Sequence, residues 1–439
     1  MLPRVTQRER GRWRNWSGSV TAHPAELHRP ASLEALQEGV RRAAERGLHV
    51  RVVGSGHSFS AVAATDEVMV SLERLSGLVH VDAEAREATV WAGTPLHLLG
   101  RLLAAEGLAM ENLGDIDRQT LGGALSTGTH GTGLGFGCLS TQAVGLTLVT
   151  AAGEVVECSE TQRPELFRAA QVSLGALGVL ARVRLRLVPA FRLACTRTAQ
   201  PLEACLERLL EQARAHRHFE LFWFPHTARV SVKTLDCTRA PARGHGLGHR
   251  VKDLLLENAA FGLLSELVRL RPALAAGASR LCARLAAEDS SVGASHRVFP
   301  TPRHVRFQEL EYALPLEAGA AALRALSALV LRERLPVHFP VELRFVQGDD
   351  AWLSPMYGRD SAVLSVHQYR DMPRERYFRE AEALLRAHGG RPHWGKLHSL
   401  DAGSLAPLYP RWEDFGRVRR ALDPQGSFLS PYLRRLFGA

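Results

Sequence analysis

Two glycine-rich stretches in the first third of the chain constrain its fold more than any other feature. The first, Val53-Gly54-Ser55-Gly56-His57-Ser58, ends a short strand expected over 50–53. The second runs Leu121-Gly122-Gly123-Ala124-Leu125-Ser126-Thr127-Gly128-Thr129-His130-Gly131-Thr132-Gly133. Glycine loses more chain entropy on folding than any other residue, so an ordinary turn rarely needs so many. Without a Cβ, however, backbone N–H groups can approach a phosphate closely, and Ser and Thr add hydroxyl donors. A single Gly-Ser-Gly is also just a turn. Two such loops in one domain point to a dinucleotide laid over two backbone cradles. No GxGxxG opens a helix here, and no GK[ST] occurs, so neither a Rossmann fingerprint nor a P-loop is present. His57 is a hydrogen-bonding group on the plain reading; on the functional one it is an imidazole nucleophile for a cofactor.

The patterning around these loops is that of an α+β protein. Ser32 caps a helix expected over 30–46, and a second helix, 96–106, stops at Gly107. Strands are expected at 69–72, 79–81, 89–92, 143–150, 154–158 and 180–188, the last halted by Pro189. Beyond Pro189 the pattern changes to helices at 202–215, 254–285, 316–335 and 375–388, with strands at 219–224, 341–346 and 362–369. Residues 240–249 read as a loop. The simplest division is a first domain over 1–189, a second over 190–400, and a segment 401–439 that returns to the first.

At 439 residues the chain has material for two or three domains, and 46% apolar with 23% charged residues is ordinary globular composition. Six cysteines, none at CxxC spacing, signal neither a zinc site nor a disulfide framework. Residues 1–16 lack the apolar run of a secretory signal, and Arg269, Arg271, Arg280 and Arg284 interrupt 261–285, favouring an amphipathic helix pair over a membrane span. A cytoplasmic protein with no membrane span is expected. The net charge is +10, from 55 Lys and Arg against 45 acids. The arginines are scattered among acids with no basic block, so a polyanion-binding or nucleic-acid-binding protein is disfavoured. No metal site is expected.

Six motifs, in order, resemble the aldonolactone oxidases, the sugar-lactone branch of the vanillyl-alcohol oxidase flavoproteins. They are Asn15-Trp16-Ser17-Gly18, the 53–60 loop, Asn112-Leu113-Gly114-Asp115-Ile116-Asp117, Ser126–Gly133, Ser173-Leu174-Gly175-Ala176-Leu177-Gly178 and His393-Trp394-Gly395-Lys396. The resemblance implies an FAD-binding domain of two α+β subdomains, completed by the C-terminus, under an α+β cap. It implies FAD held by Gly54, Ser55, Gly56, His57, Ser58, Gly114, Asp115, Gly122, Ser126, Gly128, Thr129, His130 and Gly131. In covalent members the histidine matching His57 bonds to the flavin 8α-methyl group.

The substrate side is read from two strands and one lysine. Val341-Glu342-Leu343-Arg344-Phe345 alternates strictly, leaving Glu342 and Arg344 on one face; Ser365 and His367 share a face of the strand expected at 362–369. Pattern alone favours an exposed face with an ion pair. Lys396 is one of only three lysines, with Lys233 and Lys252, among the 55 basic residues. By resemblance Lys396, Arg344 and Glu342 are catalytic, and Asp115, Glu342, Arg344, Ser365, His367 and Lys396 bind substrate. The implied reaction removes a hydroxyl proton and transfers a hydride to flavin N5, with molecular oxygen reduced to hydrogen peroxide because Gly114 leaves the flavin face open. A gulono-, galactono- or arabinono-1,4-lactone is the expected substrate. An alditol such as xylitol or sorbitol, or a lactone dehydrogenase with another acceptor, is the alternative; Asp115 stands where many alditol oxidases carry Ser.

Overall fold

The computed structural model describes residues 11–243, 260–286, 288–301 and 305–439. After an antiparallel pair, Trp13–Arg14 with Thr21–Ala22, comes a three-stranded parallel sheet in the order Glu26–His28, Val68–Ser71, Val50–Val53. The helix Leu33–Glu45 covers it, capped by Ser32, whose side chain accepts from the Ala35 N–H. Its buried residues, Leu36, Val40 and Ala43, fall at helical spacing, so one stripe meets the sheet. A second, five-stranded antiparallel sheet follows in the order Val155–Ser159, Ala143–Val149, Val179–Arg186, Glu87–Trp91, Leu78–Asp82.

The C-terminal helix Pro431–Phe437 shares this core, with Phe428, Leu429, Leu433 and Leu436 buried in the cluster that holds Leu36 and Val50. Arg51 is the clasp. Its buried guanidinium donates to the carbonyls of Val62 and Leu174 at 2.6 Å and of Phe428 at 2.8 Å. A buried charge is tolerated only when its donors are satisfied, so Arg51 ties three remote stretches together.

From Arg192 the chain builds an eight-stranded antiparallel sheet. Its order is Asp289–Ala294, Arg192–Pro201, Arg229–Thr238, His218–Trp223, Val341–Val346, Ser361–Tyr369, Phe307–Pro315, Arg391–Pro392. One face is apolar: Leu221, Leu310, Leu343, Phe345, Leu364 and Val366 pack on the helices Leu202–Glu207, Leu209–Ala215, Ala318–Arg332 and Glu375–Ala387. The opposite face is polar and is buried against the glycine loops.

Several elements differ from expectation. The helix expected over 202–215 is broken at Arg208, whose φ of −110° and ψ of 19° leave the helical region. The helical run 254–285 is, as expected for 261–285, a pair of helices, Ala260–Leu270 and Ala275–Leu285, around a short turn at Pro272–Leu274, where proline lacks an N–H; residues 254–259 lie outside the described residues, as do Lys252 and 244–249 of the expected loop. The strands Arg192–Pro201, Arg229–Thr238 and Phe307–Pro315 were not anticipated. Among the described residues no helix is long and apolar enough to cross a membrane.

Candidate active site

The strand Val50–Val53 delivers Gly54-Ser55-Gly56-His57-Ser58 to the site. A Cβ on Gly54 would collide with Thr120 Oγ1, and Gly56 has a φ of +70°. The backbone N–H groups of Ser55, Gly56, His57 and Ser58 are taken by no other described residue. Four adjacent amides with no acceptor among the described residues are available to an anion. The Trp16 ring stacks on His57 at 5.7 Å.

The second stretch opens as the helix Leu121–Ser126, with Thr120 as its cap. A Cβ on Gly122 would press on Ala92 at 3.0 Å, and one on Gly131 would strike the Leu113 carbonyl. Gly128 has a φ of +71°. The loop is then pinned to the large sheet: the Gly133 N–H donates to Phe345 O at 2.7 Å and the Thr132 hydroxyl to Phe219 O at 2.5 Å. Two loops with crowded glycines and open amides fit the diphosphate of a dinucleotide.

Between the loops and the polar sheet face lies a cleft. Of the residues singled out from the sequence, His57, Ser58, Gly114, Asp115, Thr129, His130, Glu342, Arg344, His367 and Lys396 line it together. Gly54, Ser55, Gly56, Gly122, Ser126, Gly128 and Gly131 lie in the loops behind its wall. Ser365 stands back from the cleft too, its hydroxyl donating to Glu311 at 2.5 Å. The face carrying Glu342 and Arg344 is buried, contrary to the exposed ion-pair face that pattern alone favours: the two residues are 3% and 7% exposed.

Sheet register explains what meets in the cleft. Opposite residues of antiparallel strands share a face. Glu342 faces Ser365, which faces Glu311; Glu309 faces His367; Glu220 faces both Arg344 and Lys233. Two acids overlooked in the sequence therefore organise the centre. Glu311 accepts from Arg344 Nη2 at 2.6 Å and meets His130 Nε2 at 3.1 Å. Glu309 pairs with Lys396 Nζ at 2.5 Å and lies 3.6 Å from His367 Nε2. The alternation of Glu309 and Glu311 with Leu310 and Tyr312 was legible, but nothing local says which strand this one pairs with. His393, Gln119 and Phe307, also in the lining, were missed as well.

Burial would raise the Glu309 carboxyl, yet Lys396 and His367 outweigh it and hold it down to about 2. Glu311 is likewise driven well below the carboxylate range, by Lys396, Arg344 and His130 against burial. Burial, reinforced by Lys396 and Arg118, pushes His57 down to about 4, so its imidazole is neutral at neutral pH. His393 falls to about 3, chiefly by burial, and its Nδ1 accepts from the Gly395 N–H. The ligand atoms of His130, Glu311 and His393 lie within 4.8 Å of one another, but Glu311 is already engaged by Arg344, Ser365 and His130.

Comparison with known proteins agrees with this layout. Residues 183–436 match the family described as D-arabinono-1,4-lactone oxidase, and residues 24–159 match an FAD binding domain. The chain is 41% identical to the L-gulono-1,4-lactone dehydrogenase of Mycobacterium tuberculosis, over 97% of this chain and 99% of that one. It is 36% identical to the L-gulonolactone oxidase of Scyliorhinus torazame, over 96% and 97% of the two chains. A solvent-stable cholesterol oxidase, 20% identical, superposes with a TM-score of 0.82 over 97% of each chain, which is a likeness of fold. With a glycine cradle suited to a dinucleotide and matches along nearly its whole length, the chain belongs to the aldonolactone oxidase group of the vanillyl-alcohol oxidase flavoproteins and is an FAD-dependent oxidoreductase.

Proposed function

We propose that the protein oxidises a sugar-1,4-lactone of the gulono, galactono or arabinono type at the hydroxyl beside its carbonyl. The observation that carries this reading is the convergence of Lys396 and Arg344 with His57 in one cleft beneath the glycine loops. FAD, when bound, would supply the hydride acceptor, with oxygen as the proposed terminal acceptor and hydrogen peroxide as its product. The chain's own residues bind, orient and stabilise. Lys396 and Arg344 place positive charge where the substrate oxygen becomes an alkoxide. Glu309 and Glu311 fix those two cations from behind, and Glu342 and His367 orient the ring hydroxyls. Asp115 offers a further acceptor at the cleft wall.

His57 is the proposed attachment point of the flavin. A neutral ring keeps a lone pair free for bond formation, and stacking on Trp16 restrains the ring. A yellow protein that keeps its flavin through acid precipitation supports the bond; release of the flavin removes it. Gly114 favours oxygen as the acceptor: a Cβ there would press on the His130 carbonyl at 3.0 Å, in the lining of the cleft. Oxygen uptake on a panel of 1,4-lactones and alditols tests substrate and acceptor together. Lactone-dependent reduction without rapid reoxidation by air would make the protein a dehydrogenase.

A further inference from the structure

We propose that Lys233 is a positioning residue for this reaction, holding the Asp115 carboxylate as a fixed acceptor for a hydroxyl of a ring substrate. The inference rests on the lactone reading above. Lys233 Nζ lies 2.5 Å from Glu220 Oε1 and 3.5 Å from Asp115 Oδ1. The Lys233 and Glu220 side chains are only 4% and 3% exposed, whereas Asp115 is 14% exposed and lines the cleft. Lys233 and Glu220 are cross-strand neighbours deep in the large sheet, and Asp115 belongs to the loop beside Gly114. The contact therefore crosses from the cap sheet to the flavin side of the cleft. A second tie runs parallel to it, from the Thr301 N–H to the Asp115 carbonyl at 3.0 Å.

The choice of lysine is informative. The chain holds three lysines among 55 basic residues, and the two within the described residues both reach this cleft's wall. A compact ammonium with three donors can bridge two carboxylates from different directions, where a planar guanidinium would impose its fork. Without Lys233, the Asp115 and Glu220 carboxylates would lose the cation that pairs with both of them. Glu220 is held in mid-sheet by strand pairing, so loss of Lys233 would fall on the position of the Asp115 side chain, while its backbone stays tied through Thr301. A fixed acceptor favours a rigid ring, whose hydroxyl directions are set in advance; an open-chain polyol must freeze its torsions to use it.

The test is steady-state and anaerobic single-turnover kinetics on FAD-loaded wild type, Lys233→Met, Asp115→Asn and the double variant, with L-gulono-1,4-lactone and xylitol as probes. Each single substitution should raise the lactone KM about tenfold while the limiting rate of flavin reduction stays within about threefold. Any xylitol KM should change less than the lactone KM, and the double variant should be no worse than Asp115→Asn alone. An unchanged lactone KM in Lys233→Met, or effects that multiply in the double variant, would overturn the proposal. If Lys233→Met does not retain FAD, Lys233→Met combined with Glu220→Gln removes the cation with its main partner and is read in the same way. Wild-type protein that turns over no lactone sinks the lactone reading and this inference together; lactone turnover with unaltered variants sinks this inference alone.

Discussion

The two walls of the cleft are made by opposite means. On the loop side, backbone features lie at and behind the wall: open amides at Ser55 to Ser58, and glycines at 54, 122 and 131 where a Cβ would strike a neighbour. On the cap side the contacts come from side chains: Glu309, Glu311, Glu342, Arg344, His367 and Lys396 crowd one buried face. A backbone wall suits a group of fixed shape, such as a diphosphate, and tolerates little change of shape. A side-chain wall is where chemistry and selectivity reside, and its charges depend on one another. Substitutions on the two walls should therefore fail differently.

The largest expected effect is at Lys396. Lys396→Met should slow flavin reduction by about 10³-fold, the upper range for a lost group stabilising developing charge, while FAD content is kept. Stopped-flow reduction by lactone under nitrogen measures it; unchanged reduction would take Lys396 out of the mechanism. Next is Glu311→Gln, which strips the common anion from Arg344 and His130. It should cost about 10²-fold in the same assay, with a fall in stability of about 3 kcal/mol for the broken buried pair.

On the other wall, Gly54→Ala should weaken FAD retention and lower stability by about 1–3 kcal/mol through overpacking against Thr120. Turnover per bound FAD should hold. If instead turnover per FAD collapses while FAD content is normal, the division of labour between the walls is wrong. The smallest effect concerns pH. His57 and His393 have folded values lowered to about 4 and about 3. Between those values and about 6.5 the unfolded chain binds protons that the folded one refuses, so stability falls as pH drops through that window. Melting temperatures at pH 7 and pH 5 check the sign, and His57→Ala should flatten the difference.

The same contrast explains what could be read in advance. The glycine loops are written in contiguous residues, and a backbone cradle needs nothing from afar. The position of Lys396 in a chain dominated by arginine also stood out, and the motifs that accompany it point to the family. Glu309 and Glu311 did not stand out, because an acid alternating with apolar residues reads the same on an exposed strand as on a buried one. The exposed ion-pair face favoured by pattern for Glu342 and Arg344 failed for that reason. Lys233 was noticed only as a count.

The sequence by itself determined the α+β character and a dinucleotide class of cofactor, since glycine's freedom and local spacing act over a few bonds. Tertiary structure alone decided which charges meet. His130 and Glu311 are 181 residues apart; the register of the large sheet puts Glu311 and Lys233 on its polar face, and docking of the loops through Gly133, Thr132 and Thr301 brings His130 and Asp115 to them. Register is set by burying the apolar face on its helices; a slip of one residue would send Glu311 or Lys233 into that core.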